Sequence, residues 1–207
     1  ALIPAVPALL AEAGLPLADL AALAFGRGPG SFTGLRTACA VAQGLAYGTR
    51  STRHPKGLPV LPVDTLLALA EDARAGLTTE GQAAPRHIAA LLAARMDELY
   101  VALYALTPQG LLERAPPRLC APGDLAGWLA ANDLGPDTVL AGNAFGVYPA
   151  LAALPNVRCN ALPTADALLR LAPALLAMGQ AVDARDALPL YVRDKVARTT
   201  AEREAAA

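Results

Sequence analysis

The first third of the chain alternates between apolar segments with a helical period and short apolar runs typical of strands. Its opening segment, which ends at Gly14, carries apolar residues at helical spacing: Ile3, Val6, Leu9 and Leu10. Two short runs, at residues 20–25 and 58–63, predict strands. Two longer segments, at residues 35–48 and 65–75, predict helices. The second strand is expected at a sheet edge because Pro59 and Pro62 have no N–H to donate. Asp64 is expected to cap the following helix, which gives the order αβαβα.

The rest of the chain begins with a polar linker, predicted over residues 78–86 from its Thr, Gly, Gln and Pro content. Three β-like runs follow, separated by turns at Met96-Asp97 and near Gly110, and they predict an antiparallel meander: residues 87–94, 99–106 and 111–119. Further patterns predict helices at residues 122–131 and 164–178 and strands at residues 138–141 and 157–162. A glycine-rich turn and a short helix are expected between the two strands. This half therefore has the predicted order βββαβαβα.

The two predicted orders match once the leading βββ of the second half is removed. Such a repeat indicates a duplicated unit, here of the ribonuclease-H-like or actin-like type. We therefore predict an α/β fold of two such lobes with mixed sheets. The first lobe would comprise residues 1–77 completed by residues 180–207, and the second residues 78–179. The first lobe is expected to lack its leading three strands, which a parallel sheet would need to bury its faces.

The most distinctive stretch is the glycine loop, residues 26–34, which contains four glycines and Pro29. Consecutive N–H groups in such a turn, with the positive end of the helix dipole, favour an anion. Three familiar motifs match it poorly. A Walker A loop needs a lysine where this chain has Leu35, and glycines 28, 30 and 34 have the wrong spacing for the dinucleotide fingerprint. A nucleophile elbow needs glycine two residues to either side of Ser31, which is not present.

Ser31 and the helix that follows it are the parts of this stretch with a definable structural role. Ser31 is expected to be an N-cap whose hydroxyl accepts a hydrogen bond from a first-turn N–H, since a nucleophile would also need a base. Small residues recur every four positions on one helix face: Gly34, Ala38, Ala42 and Ala46. This small-residue stripe lets another helix approach closely, and it serves either a partner interface or packing within its own domain.

Residues 26–36, with Ala-Gln-Gly-Leu-Ala at 42–46, closely resemble the signature of the bacterial TsaB (YeaZ) family. Residues 188–193 are similar to the family's Pro-x-Tyr-Leu-Arg tail and are expected to return over the first lobe. Residues 93–98 resemble its Asp-Ala-Arg-Met-Gly-Glu segment, but Ala93 and Asp97 replace the aspartate and the glycine. The matched positions there are Arg95, Glu98 and Tyr100, expected in a solvated turn. The Asp-Thr/Ser motif of the family's first strands does not occur, in agreement with missing strands.

The resemblance implies a non-catalytic scaffold subunit that binds TsaD. In that complex, with the ATPase TsaE, a threonylcarbamoyl group passes from threonylcarbamoyl-AMP to the adenosine beside the tRNA anticodon, and tRNA would meet this chain only indirectly. The expected docking residues lie in the glycine loop and its helix: Gly28, Pro29, Gly30, Ser31, Thr33, Gly34, Arg36, Ala38, Ala42 and Ala46. A homodimer through the same helix face is a further expectation. The alternative is an actin-like nucleotide-binding enzyme or a glycoprotease-like hydrolase.

Side chains with catalytic potential are few and far apart in the sequence. The two histidines, His54 and His87, do not form the HxxxH metal pair known in TsaD, so each is expected to be solvated or hydrogen-bonded. Asp97 and Glu98 are adjacent and would point to opposite faces of an extended backbone. No nearby His or Asp supports either of the two serines as a nucleophile. We therefore predict no catalytic residue, no cofactor and no metal.

Composition and charge narrow the setting of the protein. A chain of 207 residues with 55% hydrophobic and 17% charged residues is globular, and a net charge of −1 gives no basic footprint for tight RNA binding. Cys39, Cys120 and Cys159 are odd in number and form no CxxC motif, as expected of buried thiols in a reducing compartment. A basic leader and an uninterrupted apolar span are both lacking, so a cytoplasmic location is predicted.

Overall fold

Helices and strands alternate through the described residues, 2–52, 54–79 and 84–193, of a computed structural model. Their order is α1 (Leu2–Ala13), β1 (Leu23–Gly28), α2 (Phe32–Gly48), β2 (Val60–Asp64), α3 (Thr65–Thr79), β3 (His87–Ala93), β4 (Leu99–Thr107), β5 (Gly110–Cys120), α4 (Leu125–Ala131), β6 (Val139–Gly142), β7 (Arg158–Asn160) and α5 (Ala165–Ala177). Short 3-10 turns lie between several of them. Every predicted strand and nearly every predicted helix is present, with boundaries that differ by up to four residues.

The larger sheet has five strands in the order β5-β4-β3-β6-β7. Its first three form the predicted antiparallel meander, and β6 and β7 join in parallel, so the sheet is mixed. Alternate residues of β3 face opposite sides, as the pleat requires. Ala89 and Leu91 pack in a core with Trp128 of α4, whereas Ile88 and Ala90 pack in a second core formed with α3. Both faces of this sheet are therefore covered.

The smaller sheet contains β1 and β2, which pair in parallel. Helix α2 covers one face, where Phe25 and Val60 pack with Cys39 and the inner alanines of the small-residue stripe. Helix α5 covers the other face, where Leu61 packs with Leu175. Residue Val182 adds one antiparallel bridge to Val60, so the segment after α5 returns to this sheet.

Helices α3 and α5 connect the two sheets. The Glu71 carboxylate of α3 is buried and accepts hydrogen bonds from Arg74 at 2.7 Å and from Arg170 of α5 at 3.1 Å. The Thr164 hydroxyl donates to Asp72 of α3 at 2.9 Å and accepts a bond from the first turn of α5, which makes Thr164 its N-cap. Because the buried carboxylate is paired twice, its charge is satisfied where the two helices meet.

The structure corrects three boundary predictions around the glycine loop. Strand β1 continues to Gly28 because its pairing with β2 extends as far as Asp64, so the first residues of the loop belong to the strand. Helix α2 begins at Phe32, three residues before its predicted start. The carboxylate of Asp64 accepts a hydrogen bond from Arg27 across the sheet, and the helix cap expected at this residue stays a prediction. Helix α3 extends to Thr79 into the predicted linker, of which residues 80–83 lie outside the described part.

The α/β class and the mixed sheet are as predicted, whereas the division into two ribonuclease-H-like lobes, the lobe boundaries and the missing strands remain predictions. Part of the first predicted lobe, residues 194–207, lies outside the described residues. Within the described residues, no helix is both long and apolar enough to cross a membrane.

Candidate functional site

The glycine loop connects the end of β1 to the start of α2 and lies under a later segment of the chain. Gly28 has a φ of 128°, and a Cβ atom there would lie 2.5 Å from the carbonyl oxygen of Leu190. A side chain at this position would therefore clash with backbone and hold a strained conformation, which explains the glycine. Gly28 and Pro29 are buried and Gly30 is half-buried, so these three residues shape the loop, whereas Ser31 and Thr33 are exposed.

Ser31 occupies the N-cap position of α2 without making the predicted side-chain bond. Its backbone is extended, with φ −62° and ψ 123°, and its carbonyl accepts the first helical bond from Leu35 at 2.8 Å. Its side chain is exposed and accepts no bond from the first turn, so the prediction of a hydroxyl cap was wrong. The N–H groups of that turn are consequently not satisfied by this side chain.

The small-residue stripe of α2 changes character along its length. Gly34 is exposed and Ala38 is half-buried, but Ala42 is 7% exposed and Ala46 is fully buried. The inner end packs against the smaller sheet, and the Ala46 carbonyl accepts a bond from Leu58 at 3.2 Å. Ala42 and Ala46 therefore pack inside the chain. The expectation of a flat docking face along the whole stripe was wrong. Within the stripe, only Gly34 is exposed and only Ala38 is half-buried.

Residues 188–193, called the strap below, cross from the glycine loop to the turn between β3 and β4. The strap follows Ala187, whose carbonyl accepts bonds from Cys39 and Gln43 of α2, each at 2.9 Å. Burial raises the pKa of the Cys39 thiol, so this group stays a protonated donor. The Leu190 N–H donates to the Arg27 carbonyl at 2.7 Å. These contacts fix the first half of the strap over the loop.

The other end of the strap is held by Arg193, whose side chain is only 12% exposed. Its guanidinium lies 2.5 Å from a carboxylate oxygen of Glu98 and donates at 2.7 Å to the carbonyl of Arg95. It also contacts the Met96 sulfur at 3.0 Å. Glu98 was expected to be solvated, and this was wrong, because the guanidinium neutralises it. The strap therefore links the glycine loop to the β3–β4 turn.

The β3–β4 turn itself has an unusual backbone. Met96 and Asp97 have φ angles of 64° and 56°, a left-handed region that non-glycine residues seldom occupy. Asp97 stands where the family pattern has glycine, and aspartate tolerates this region better than most side chains. The Tyr148 hydroxyl hydrogen-bonds the carbonyls of Ala94 and Glu98 at 3.2 and 3.0 Å, and burial raises its pKa. The turn is thus held from two sides.

The glycine loop, the strap and the β3–β4 turn enclose a cavity of about 660 Å³. Its walls come from residues 29–33, 92–96 and 190–193, with Leu35 and Tyr100. Two charged residues line it, Arg95 and Arg193, and the charge of Arg193 is paired with Glu98. Its size is in the range of small-ligand pockets. Among the predicted site residues, the cavity brings together Pro29, Gly30, Ser31 and Thr33.

The remaining titratable candidates do not converge on this cavity. His54 is half-buried in a loop with its Nε2 atom 3.1 Å from the Ala18 carbonyl, and His87 begins β3, where burial and Arg86 lower its pKa. Among the described residues, no three His, Cys, Asp or Glu side chains are placed to hold a metal ion. Cys39 and Cys120 are buried free thiols as predicted, whereas Cys159 is only partly buried.

Sequence reasoning missed the aromatic residues around the loop. Phe32 and Tyr191 have ring centroids 5.4 Å apart, and Arg36 donates a hydrogen bond to the Tyr191 hydroxyl at 3.0 Å across 155 positions of sequence. Both rings lie within the segments that resemble the family, which was the available signal. That the two segments touch could not be inferred, because nothing in either indicates its distant partner.

Comparison with known proteins supports the resemblance seen in the sequence. A family model described as TsaD, tRNA N6-adenosine threonylcarbamoyltransferase, matches residues 1–200. The tRNA threonylcarbamoyladenosine biosynthesis protein TsaB of Escherichia coli K12 is 32% identical over 202 residues, which is 95% of this chain and 80% of that protein. The chain belongs to the TsaB (YeaZ) family. The TsaB protein of Haemophilus influenzae is 41% identical over 99 residues, covering 48% of this chain and 36% of its own length.

Solved structures of YeaZ proteins have the same overall shape as this TsaB-family chain. YeaZ from Pseudomonas aeruginosa has a TM-score of 0.70 at 35% identity, covering 92% of this chain and 82% of that one. A structure described as an uncharacterized protein with similarity to peptidase YEAZ, also from P. aeruginosa, has a TM-score of 0.75 at 37% identity, with coverage of 93% and 82%. The fold of the described residues is therefore that of the TsaB (YeaZ) family.

Proposed function

We propose that this chain is a non-catalytic scaffold subunit in the biosynthesis of threonylcarbamoyladenosine in tRNA. It binds a TsaD-like catalytic subunit, which transfers the threonylcarbamoyl group from threonylcarbamoyl-AMP to the adenosine beside the anticodon. A TsaE-like ATPase is a further partner, tRNA meets the chain only through the complex, and the setting is the cytoplasm. The names of the E. coli and H. influenzae relatives, both TsaB, support this pathway.

The observation that carries the docking proposal is the exposure of the signature at the start of α2. Thr33, Gly34 and Arg36 are exposed together, although residues of a distinctive motif that served only folding would be expected in the core. Phe32 is 41% exposed and Tyr191 45% exposed beside them. Aromatic side chains and arginine are the residues most enriched in protein interfaces. We therefore place the docking surface at the start of α2, with Gly28, Pro29 and Gly30 shaping it from below.

The second candidate function is an actin-like nucleotide-binding enzyme or a glycoprotease-like hydrolase. The cavity of about 660 Å³ favours it, because that volume and two lining arginines suit a small anionic ligand. The two candidates differ in what the isolated chain does. A scaffold acts only with its partner, whereas an enzyme hydrolyses ATP or peptide by itself.

The proposal is tested with the chain, its TsaD-like and TsaE-like partners from the same organism, ATP, threonylcarbamoyl-AMP and tRNA. We expect co-elution with the TsaD-like subunit and threonylcarbamoyladenosine formation only when the chain is present. Gly34→Gln should abolish co-elution, since Gly34 is exposed and a Cβ there meets only ordinary contacts with Ser31 at 3.5 Å. Gly44→Gln is the matched control, because Gly44 is also exposed on α2 with nothing within 4 Å of an added Cβ.

Retained complex formation by Gly34→Gln would contradict docking at this face. ATP or peptide hydrolysis by the purified chain would favour the second candidate. The same pair of variants tests the homodimer: light scattering of the chain alone should show a dimer that Gly34→Gln dissociates and Gly44→Gln preserves. A monomeric wild-type chain would exclude the homodimer without affecting the proposed complex.

A further inference from the structure

Arg36 is held between two aromatic rings at the edge of the cavity. Its guanidinium carbon lies 3.9 Å from the centroid of Phe32, one turn earlier in α2, and 6.0 Å from the centroid of Tyr191 in the strap. Its Nε–H donates to the Tyr191 hydroxyl at 3.0 Å. We call Phe32, Arg36 and Tyr191 the arginine cluster. The cluster exists only because the strap returns to the glycine loop.

The guanidinium of Arg36 has donors that the described residues do not use. Within residues 2–52, 54–79 and 84–193, no carboxylate pairs with Arg36, and its only hydrogen bond is the one from Nε. Arg27 and Arg193, which lie nearby in the structure, are each paired with an acidic residue, Asp64 and Glu98. The terminal nitrogens of Arg36 are therefore an oriented, exposed pair of donors that the part of the chain described by the structure leaves unoccupied.

An arginine fixed in this way is prepared for a planar acceptor. The stacked ring and the Nε bond restrict the side chain before any partner arrives, so less rotamer entropy is lost on binding. Two parallel N–H groups match the two oxygens of a carboxylate in a bidentate pair. The apolar rings on either side would exclude water from that pair and strengthen it.

We propose that the arginine cluster binds an aspartate or glutamate side chain of the TsaD-like partner. This inference rests on the proposed function and names the chemistry of the contact. The surroundings favour a protein over RNA. Large apolar side chains of the glycine loop and the strap are exposed, namely Phe32 at 41%, Tyr191 at 45% and Leu188 at 63%. The chain also has a net charge of −1, whereas RNA binding needs several cations on one face. One face of the Phe32 ring is already covered by the guanidinium, which leaves less aromatic surface for stacking on bases.

The test measures the dissociation constant of the complex with the TsaD-like subunit by calorimetry at several salt concentrations. Arg36→Met keeps the aliphatic stem and removes the charge, and it should weaken binding at least about tenfold and reduce the salt dependence. Arg36→Lys keeps the charge without the planar donor pair, so its loss should be intermediate. Arg50→Met is the matched control, because Arg50 also stacks on an aromatic ring, Tyr47 at 4.9 Å, beyond the far end of α2. It should bind within about twofold of the wild type.

The outcomes separate this inference from the function on which it rests. If the wild-type chain fails to bind the TsaD-like subunit, both are overturned. If Gly34→Gln abolishes binding but Arg36→Met binds like the wild type, the docking face stands and the carboxylate contact is wrong. If Arg36→Met instead weakens binding of tRNA to the isolated chain and leaves the protein complex unchanged, the cluster recognises RNA and the inference is overturned. Thermal unfolding of each variant shows that the fold is intact.

Discussion

The two sheets of this protein are stabilised in different ways. The five-stranded sheet is covered on both faces, and residues such as Leu91, Leu99 and Leu140 have no exposed surface. The region of the two-stranded sheet has buried residues too, but its helices leave large apolar side chains in solvent, including Ile3 at 65% and Leu9 at 63% exposure in α1. The region of the two-stranded sheet therefore depends less on burial of its own side chains, and it presents more apolar surface for association.

Long-range polar contacts compensate for the smaller sheet. The segment from Val182 to Arg193 bridges β2, bonds to α2 through the Ala187 carbonyl, crosses Gly28 and ends in the ion pair with Glu98. The larger sheet instead follows from local patterning, because its meander joins neighbours in sequence. In this protein, the exposed apolar surface therefore lies in the region whose packing depends on distant segments of the chain.

The largest expected effect tests whether the smaller sheet has a true core under α2. Ala42→Arg places an unpaired charge at a position that is 7% exposed, and we expect a loss of about 4 kcal/mol in the free energy of unfolding, measured by urea denaturation. Ala40→Arg on the exposed side of the same helix should change it by no more than about 0.5 kcal/mol. Equal stability of the two variants would mean that the stripe is open to solvent.

The next effect probes the larger sheet at its tightest backbone contact. Gly142 has a φ of 147°, and an added Cβ would lie 1.8 Å from the Leu91 carbonyl oxygen. Gly142→Ala should therefore cost about 3 kcal/mol or more, through strain and a lost pairing between β3 and β6. Gly146→Ala, with nothing within 4 Å of the added Cβ, is the control and should be nearly neutral. A tolerated Gly142→Ala would show that this sheet is less rigidly assembled than its burial indicates.

An intermediate effect is expected where the strap connects the regions. Arg193→Gln removes the ion pair with Glu98, which is itself 32% exposed, and should lower stability by about 1.5 kcal/mol. Hydrogen exchange at the Leu190 N–H, bonded to Arg27, should become faster because the strap loses its far anchor. Arg185→Gln removes only surface ion pairs of an 80% exposed side chain and should cost no more than about 0.5 kcal/mol. Unchanged exchange at Leu190 would mean that the two halves of the strap are held independently.

The smallest effect concerns pH at the start of β3, the central strand of the larger sheet. Burial, with the charge of Arg86, lowers the pKa of His87 below its ordinary value of 6.5, so the unfolded chain binds a proton more readily than the native one. Stability should therefore fall as the pH drops below about 6.5, by no more than about 0.5 kcal/mol for this partly exposed group. Unfolding curves of the wild type and of His87→Gln between pH 7.5 and 5.5 measure it. A wild-type profile parallel to that of the variant would mean that His87 does not contribute to the pH dependence of stability.

The sequence predicted best where a pattern repeats over several neighbouring residues. The β-like runs of β3 to β5 and the helical pattern of α5 were sufficient to place those elements within a few residues. The glycine loop was harder, because glycine is typical of turns and yet pairing with β2 carries β1 through Gly28. The spacing of Ala42 and Ala46 identified one helix face without showing what covers it.

The candidate site was only half predictable for a physical reason. Arg36 could be selected from the signature, but its rigidity comes from Phe32 one turn away and Tyr191 far along the chain. Likewise, Glu98 is a turn residue in the sequence and becomes an ion-pair partner only once Arg193 arrives. Contacts between distant segments depend on topology, which no local period encodes.

The crossing of Leu190 over Gly28 has a consequence for biosynthesis of the protein. Chains emerge from the ribosome N-terminus first, and the earlier segments begin to fold before the later ones appear. The glycine loop is thus made early but acquires Tyr191 only when translation has passed that codon. A prematurely terminated chain would carry Arg36 without its second ring, and a partner that reads the finished cluster would discriminate against incomplete products.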